Sequence, residues 1–592
     1  PHYGGGTASH DAHVFKARRR QLNRNLMDAK YESHFKRYDA LRNQRASTFD
    51  TNWQSISSYV LPQLSDITVT KTEGVTGWTD DIFDTTAIDA NLSLAAGARN
   101  WLYTGKWFAY NPPAWMKDSD RDEAALYYGK CTEIMLRLLA KSNFYTTKHS
   151  AELSWGAFGT SCLFCDESKR GPFYFGEYQV GTYVIAEDDE GFVDTVMREF
   201  EFTARQAAQK WGVAALTPKV RKAFENKVPT DQDKKFKFLH CVYPRIAEEF
   251  DAKKLDPKNK PIANLYFCID DQATVYEGGF DKMPYFVSRF MKWGKTPYGF
   301  SPAFVALPNI RQANFMCYWM DALAELKAEP RTLVPDTLVG EVDYRAGSET
   351  IVGSKTDPQA WPRVWMDGGD FDIGLKSIEM KRDGINRAFY VPMFKMLEQS
   401  QFGKATATEI EERKSEQIEQ FSPVFDRKIG EEFNPLHAYL FDFADRAGYF
   451  PPAPAAVQRQ NKHGLTVTIQ PEIAYSSRLA LRLNQLESQA FLQVIQVVGQ
   501  IDQARQGNPE QISDNFEIDD GMRKFAMDGG LAPDLIKPMK KVDAMRAARK
   551  QQIAAAQQAQ MAEKVAGAAG KLGKAPPEMQ KQVVDGLSKS AA

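Results

Sequence analysis

What this chain lacks narrows it first. No window reaches roughly 18 consecutive apolar residues, and the nearest, Ala490 to Val498, is interrupted by Gln493 and Gln496, so no membrane-crossing helix is expected. The opening Pro-His-Tyr-Gly-Gly-Gly has no apolar core of a signal peptide, and loss of an initiator Met would explain Pro1. Six cysteines in 592 residues are too sparse for a disulfide framework and point to a reducing compartment. Surplus charge is nearly absent: 75 basic and 76 acidic residues leave -1. A protein that grips nucleic acid draws most of its non-specific affinity from neutralising phosphates, so a basic trap is not expected.

Catalytic patterns are equally scarce. Trp293-Gly294-Lys295-Thr296 imitates the end of a phosphate-binding loop, but Arg289 stands where that motif needs its first glycine. Cys162-Leu163-Phe164-Cys165 is a lone CxxC with no second pair at ligand spacing, and it reads as a buried strand. His2, His10 and His13 could meet a metal, but nothing fixes their geometry. No G-x-S-x-G elbow occurs, and acidic pairs such as Asp80-Asp81 and Glu431-Glu432 lack the partners of acid–base chemistry. The expectation is a protein without catalytic, cofactor-binding or metal-binding residues.

What is present is length and long helical pattern. A chain of this size, 43% hydrophobic and 26% charged, buries a large core in several domains. Its most ordered stretch runs from Tyr298 to Ser400. Ser301 offers an N-cap oxygen and Pro302 suits a first helical position. Apolar residues recur at Ile310, Ala313, Met316, Cys317, Met320, Leu323 and Ala324 until Pro330 ends the run, and Pro308 is expected to bend it. From 302 to 329 the helix would be about 40 Å long. A second run, Lys376 to Ser400, carries Ile378, Ile385, Phe389, Met393 and Met396, with Gly384 and Pro392 as weak points; Pro392 predicts a kink. Between the two, Thr332 to Asp372 has the vocabulary of short strands and turns. Such a hairpin leaves apolar stripes that need neighbours.

Around it the chain alternates. Residues 1–50 predict a loose start and then a charged helix bearing Phe35, Tyr38 and Leu41. Trp53 to Pro62 is a helix closed by proline, and Phe83-Asp84-Thr85-Thr86 precedes a helix from Ala90 to Tyr103 whose Ala/Gly content lets another element pack close. Two helices cover 121–158. From Cys162 to about Phe290, short strands, a turn at Asp188-Asp189-Glu190-Gly191 and a helix opened by Thr203 predict a small β-barrel with helical excursions. Thr406-Ala407-Thr408-Glu409 is a capping box, and the stripe that follows runs from Ile410 to Leu440 before Gly448. A strand at Leu465 to Ile469 and helices at Leu479 to Val498, Ile518 to Met527 and Pro533 to Ala556 complete the pattern.

The wording of several segments resembles one family. Tyr298-Gly299-Phe300-Ser301-Pro302-Ala303 followed by Ala306-Leu307-Pro308-Asn309-Ile310-Arg311 and Asn314 is similar to the head-to-tail connecting, or portal, proteins of short-tailed (podovirus-type) bacteriophages. So are Ala405-Thr406-Ala407-Thr408-Glu409-Ile410 with Arg413, and the early order of tryptophan helix, Phe83-Asp84-Thr85-Thr86, small-residue helix and Lys106-Trp107-Phe108. The resemblance implies an α+β, mainly helical portal fold. Its parts would be a β-barrel-containing wing (1–300), stem helix 1 (301–330), a strand-rich clip (331–372) and stem helix 2 (373–398). A tunnel loop (399–405), a long helix returning to the wing (406–475) and a helical crown or barrel (476–592) would follow. It also implies a closed ring of about twelve subunits at one capsid vertex. Double-stranded DNA would pass through it non-specifically during packaging and ejection. The packaging terminase, a tail adaptor or head-completion protein, and the major capsid and scaffolding proteins are the expected partners, with assembly in the host cytoplasm and residence in the virion. Gln399, Ser400, Gln401, Phe402, Gly403 and Lys404 are the expected channel-lining residues, and Pro392 the stem hinge. The competing readings are another capsid or tail structural protein, and a packaging ATPase or nuclease, which would need a nucleotide or metal constellation.

Overall fold

The structure, a computed structural model, describes residues 29–64, 66–68, 79–226, 228–246, 248, 250, 256–329, 331–333, 363–364, 371–398, 420–460, 466–476, 494–498, 500, 517–528, 537 and 539–572. These fall into two compact units, one drawn from residues 1–114 and 130–483, the other from 115–129 and 484–592.

In the first unit, helix α1 (29–45) passes through a π-helical turn, Ala46–Asp50, into α2 (Thr51–Val60). Then come α3 (Thr86–Leu102), β1 (Phe108–Asn111), α4 (Asp118–Lys141, whose first part belongs to the second unit) and α5 (Phe144–Phe158). The β-rich region holds β2 (Thr160–Glu167), β3 (Phe173–Tyr178), β4 (Tyr183–Glu187) and β5 (Val193–Thr203). After the short helices α6 (Ala204–Trp211), α7 (Pro218–Glu225) and α8 (Pro229–Gln232) it continues with β6 (Lys235–Pro244), β7 (Ile262–Cys268), β8 (Ala273–Phe280) and β9 (Tyr285–Arg289). Thr203 opens α6 with a capping box, its hydroxyl accepting the Gln206 amide at 3.2 Å while the Gln206 side chain accepts the Thr203 amide at 2.9 Å.

The strands form two antiparallel sheets, β3-β2-β9 and the meander β4-β5-β6-β7-β8. The expected barrel is therefore corrected: among the described residues no ladder joins β4 to β8, and the meander stays open. Side-chain alternation gives the reason. Leu239 and Cys241 point to α1, where Tyr31 and Tyr38 cover them, while Phe236 and Phe238 point to the other face under α6 and α7. On that second face His240 reaches the three-stranded sheet through a 2.7 Å hydrogen bond between Nδ1 and the Tyr285 hydroxyl. With helix α1 on one side and helices plus a second sheet on the other, both faces are buried without closure.

The hairpin is α9 (Pro302–Ala328) and α10 (Phe371–Ala388), followed by α11 (Val391–Glu398). Helix α9 runs unbroken through Pro308. At its far end β10 (Thr332–Leu333) pairs with β11 (Arg363–Val364); of the Thr332 to Asp372 insertion, residues 334–362 and 365–370 lie outside the described residues, and Phe371 and Asp372 already open α10. Gly384 is a contact point rather than a weak point, and so is Gly374, because a Cβ at these positions would press on Asn309 and Met320 of α9. Helix α12 (420–428), a π turn (Ile429–Phe433) and α13 (Asn434–Arg446) form one long rod. It is followed by the β12 (Gln458–Gln460) and β13 (Thr466–Thr468) hairpin and by β14 (Glu472–Tyr475), which pairs with β1. In the second unit come α14 (494–498), α15 (Ile518–Asp528) and α16 (Met539–Leu572), where Arg546 makes a two-pronged contact to Asp519 at 2.6 and 2.9 Å. Helix α16 runs well past Ala556, where the sequence pattern predicted its end.

Candidate functional site at the root of the helical hairpin

The hairpin enters the core through a crossing of two glycine turns. Gly159, at the end of α5, has φ +74°, and a Cβ there would collide with the Gly299 and Phe300 backbone; a Cβ on Gly299 would collide with the Gly159 carbonyl. Only glycine allows this approach. The Thr160 hydroxyl accepts the Gly299 amide at 2.9 Å, and Ser301 then caps α9, accepting the Phe304 amide at 3.3 Å and donating to the Ala157 carbonyl at 2.7 Å. Tyr298 and Phe300 close against Phe49, and Trp53, fully buried, stacks edge-on to Tyr298 and donates to the Phe158 carbonyl at 3.2 Å. The Tyr-Gly-Phe-Ser-Pro wording and the tryptophan helix are thus one packing unit.

A second anchor holds the hairpin midway. The Asn314 side-chain oxygen accepts the amides of Phe83 (2.7 Å) and Asp84 (3.1 Å), and its NH2 group donates to the Asp81 carbonyl (2.9 Å). Asp84 accepts the Thr86 amide at 2.8 Å, where α3 begins, and Arg382 Nε of α10 at 2.9 Å. Burial works against the charged Asp84 carboxyl, but the Thr86 and Arg382 hydrogen bonds more than offset it and hold its pKa below the usual range. One short segment therefore ties α3, α9 and α10 together. Farther along α3, Gly97 lies where a Cβ would strike the Phe394 ring of α11.

The third anchor is ionic and was missed at the sequence level. Arg289, which merely spoils the phosphate-loop motif in sequence, is buried on β9 and bonds both oxygens of Glu431 (2.7 and 3.1 Å), Glu187 and the Gly191 carbonyl (2.9 Å). The next residue, Glu432, faces Lys148. There Lys148, Glu152, Lys428 and Glu432 alternate in sign around a closed square: Lys148–Glu152 2.6 Å, Glu152–Lys428 2.9 Å, Lys428–Glu432 3.4 Å, and Glu432 back to Lys148. All four are buried, with the Lys428 ammonium 3.7 Å over the Trp155 ring. Burial opposes every charge. For Lys148 the two carboxylates outweigh it and raise its pKa, for Glu152 the two ammoniums do the same and lower it, while for Lys428 burial prevails and lowers it. Neighbouring Glu431 and Glu432 serve separate clusters, and the π turn that carries them shows in the Asn434 amide bonding back five residues to Ile429. Pro435 was the available signal, since in an unbroken α-helix its ring would clash with the carbonyl of Glu431.

The helix break before α11 lies at Phe389-Tyr390, with Tyr390 at φ +57°, and Pro392 sits in the first turn of α11. Gln399, Ser400, Gln401, Phe402, Gly403 and Lys404, the Thr406 capping box, Arg413 and His2, His10 and His13 lie outside the described residues. Trp293-Gly294-Lys295-Thr296 forms an exposed turn closed by a two-way bridge between Met291 and Phe300, and Lys295 leads into a further bend rather than into the helix N-terminus that would receive a phosphate. Cys162 and Cys165 lie three apart on β2, hence on opposite faces, and burial pushes both thiols up.

Motif residues from distant parts of the chain thus converge on one root. A family model described as bacteriophage head to tail connecting protein matches residues 32–536. The chain belongs to that family. The portal protein of Salmonella phage epsilon15 is 26% identical over 545 residues, covering 90% of this chain and 93% of the relative. The probable portal protein of Bordetella phage BPP-1 is 27% identical over 564 residues, covering 93% and 96%. Among solved structures, a chain of the virion of a native gene transfer agent particle aligns with 70% of this head-to-tail connecting protein and 87% of its own length, at 11% identity and a TM-score of 0.33.

Proposed function

We propose that this head-to-tail connecting protein assembles into a closed ring of about twelve subunits at one capsid vertex, a passage for double-stranded DNA in packaging and ejection. The observation that carries the reading is on α9. Its inner stripe, Ala303, Ala306, Ile310, Ala313 and Cys317, is buried against the rest of the chain. Yet Phe315 (62%), Trp319 (54%) and, on α10, Met380 (67%) stand exposed. A helix apolar on more than one side is one that will be covered, and a heterologous interface that closes on itself covers every copy alike. Near-neutral composition suits a conduit, since a duplex carrying about one charge per 1.7 Å slides past balanced walls and sticks to basic ones.

Within this ring, residues 399–404 line the narrowest part of the channel, Pro392 marks the hinge of the second stem helix, and the 331–372 insertion docks the terminase and later the tail adaptor. The protein acts as conduit and platform rather than enzyme. Lys404→Glu tests the channel assignment, because a ring of carboxylates would repel phosphates. DNA packaging is expected to slow or stall with ring assembly and thermal stability unchanged; normal packaging by that variant would remove residues 399–404 from the channel wall.

A further inference from the structure

The four-charge square is built from two helices, α5 and the α12 rod, with every member buried. Replacing a buried ion pair by apolar residues of similar volume is often neutral or stabilising, whereas breaking one partner is costly, so such a pair can select one conformation without adding net stability. The alternative conformation here is specific. If the π turn Ile429–Phe433 were resolved into regular α-helix with α13 held in place, every residue of α12 would move by one position, about 100° around the axis and about 1.5 Å along it. Ile429 would then occupy the place of Lys428, presenting an aliphatic side chain to Glu152. Phe421 would turn away from Tyr390 and Phe394, whose rings it now meets at 5.3 and 6.0 Å. Helix α13 is fixed independently, by the Tyr439 hydroxyl donating to the Cys165 carbonyl at 3.3 Å and by His437 packed under Trp107 and Phe108. The movable part is α12.

We infer that the alternating square of Lys148, Glu152, Lys428 and Glu432, together with the Arg289–Glu431 pair, is a register latch that selects the π-turned rod over its straight form and so fixes which side of α12 faces α5, β9 and α11. Pro435 disfavours the straight form locally, and the square makes the choice unique. Both clusters close only when Glu431 and Glu432, adjacent in sequence, point to different elements while Lys428 keeps the register that the π turn sets. This inference stands apart from ring assembly and does not depend on it.

The test uses hydrogen exchange on the full-length protein, with amides of β5 and β6 as internal reference. A neutral variant, Lys148→Met, Glu152→Gln, Lys428→Met and Glu432→Gln, is expected to fold with near-native cooperativity while protection of amides 424–434 falls by at least about tenfold. A sign-inverted variant, Lys148→Glu, Glu152→Lys, Lys428→Glu and Glu432→Lys, preserves the alternation and is expected to restore that protection. Native protection in the neutral variant overturns the latch. So does a neutral variant that cannot fold at all, since the square would then be a stability element, and so does an inverted variant that folds without recovering protection.

Discussion

The root and the shaft of the hairpin are made of the same two helices and solve opposite problems. At the root and on the inner face above it, nearly every polar group is spoken for: Asn314 satisfies three backbone groups, Asp84 accepts from the Thr86 amide, Arg382 and the Cys317 thiol, and Ser301 both accepts and donates. Along the shaft, Phe315 and Tyr318 each meet the Trp319 ring, Tyr318 also meets Phe83, and all of them face outward. Unconditional packing at the root lets the chain fold as a subunit, while in the proposed ring the shaft would be covered by a neighbour. On that proposal folding and assembly draw on different residues, and substitutions in the two regions should fail in different ways.

The sharpest contrast is at Gly159 and Phe315. Gly159→Val places a branched side chain at positive φ against the backbone of Gly299 and Phe300, and should abolish soluble folded protein, read by circular dichroism and expression. Phe315→Glu with Trp319→Glu should leave the monomer's circular dichroism and melting intact and abolish the oligomer in size-exclusion chromatography with light scattering; an intact oligomer would move the interface elsewhere. Within the root, Asp84→Ala leaves the Thr86 amide and the Arg382 side chain without their acceptor and should cost about 1–3 kcal/mol in a denaturant titration. Arg382→Ala removes a half-exposed partner and should cost less than about 1 kcal/mol. Reversal of that order would mean the ion pair, not the backbone capping, holds α3.

Acid offers a graded test of the root. His437 is buried, and desolvation depresses its pKa to about 3; His240 is likewise held well below the ordinary histidine value. Folded His437 is therefore neutral while the unfolded chain takes up a proton below about pH 6.5, so stability is present above that pH and is lost as pH falls toward 3, by up to about 1.4 kcal/mol per unit. Chemical denaturation of His437→Phe between pH 6 and 4 should show a slope shallower by one proton.

How far the sequence led depended on the range of the interaction. Local signals were sufficient for the Ser301-Pro302 helix start, the helix opened by Thr203, the Gly191 turn and the strand containing Cys162, because each is decided by neighbours in the chain. Partnerships between distant segments were not legible. Glu431-Glu432 looked like an acidic pair without partners, although one carboxylate reaches Arg289 and the other Lys148 and Lys428. Gly384 looked like a flaw in a helix because the side chain it accommodates, Asn309, belongs to another element. The barrel failed for a related reason: alternation in β6 shows that both faces are buried, not whether a second sheet or the same sheet does the covering.

The separation of root from shaft is tested most directly by electron cryomicroscopy of the purified protein. A closed ring with a central channel, in which Phe315, Trp319 and Met380 of each subunit lie buried against the adjacent copy, is the expected result. Monodisperse monomers, or a ring in which those three side chains still face solvent, would contradict it.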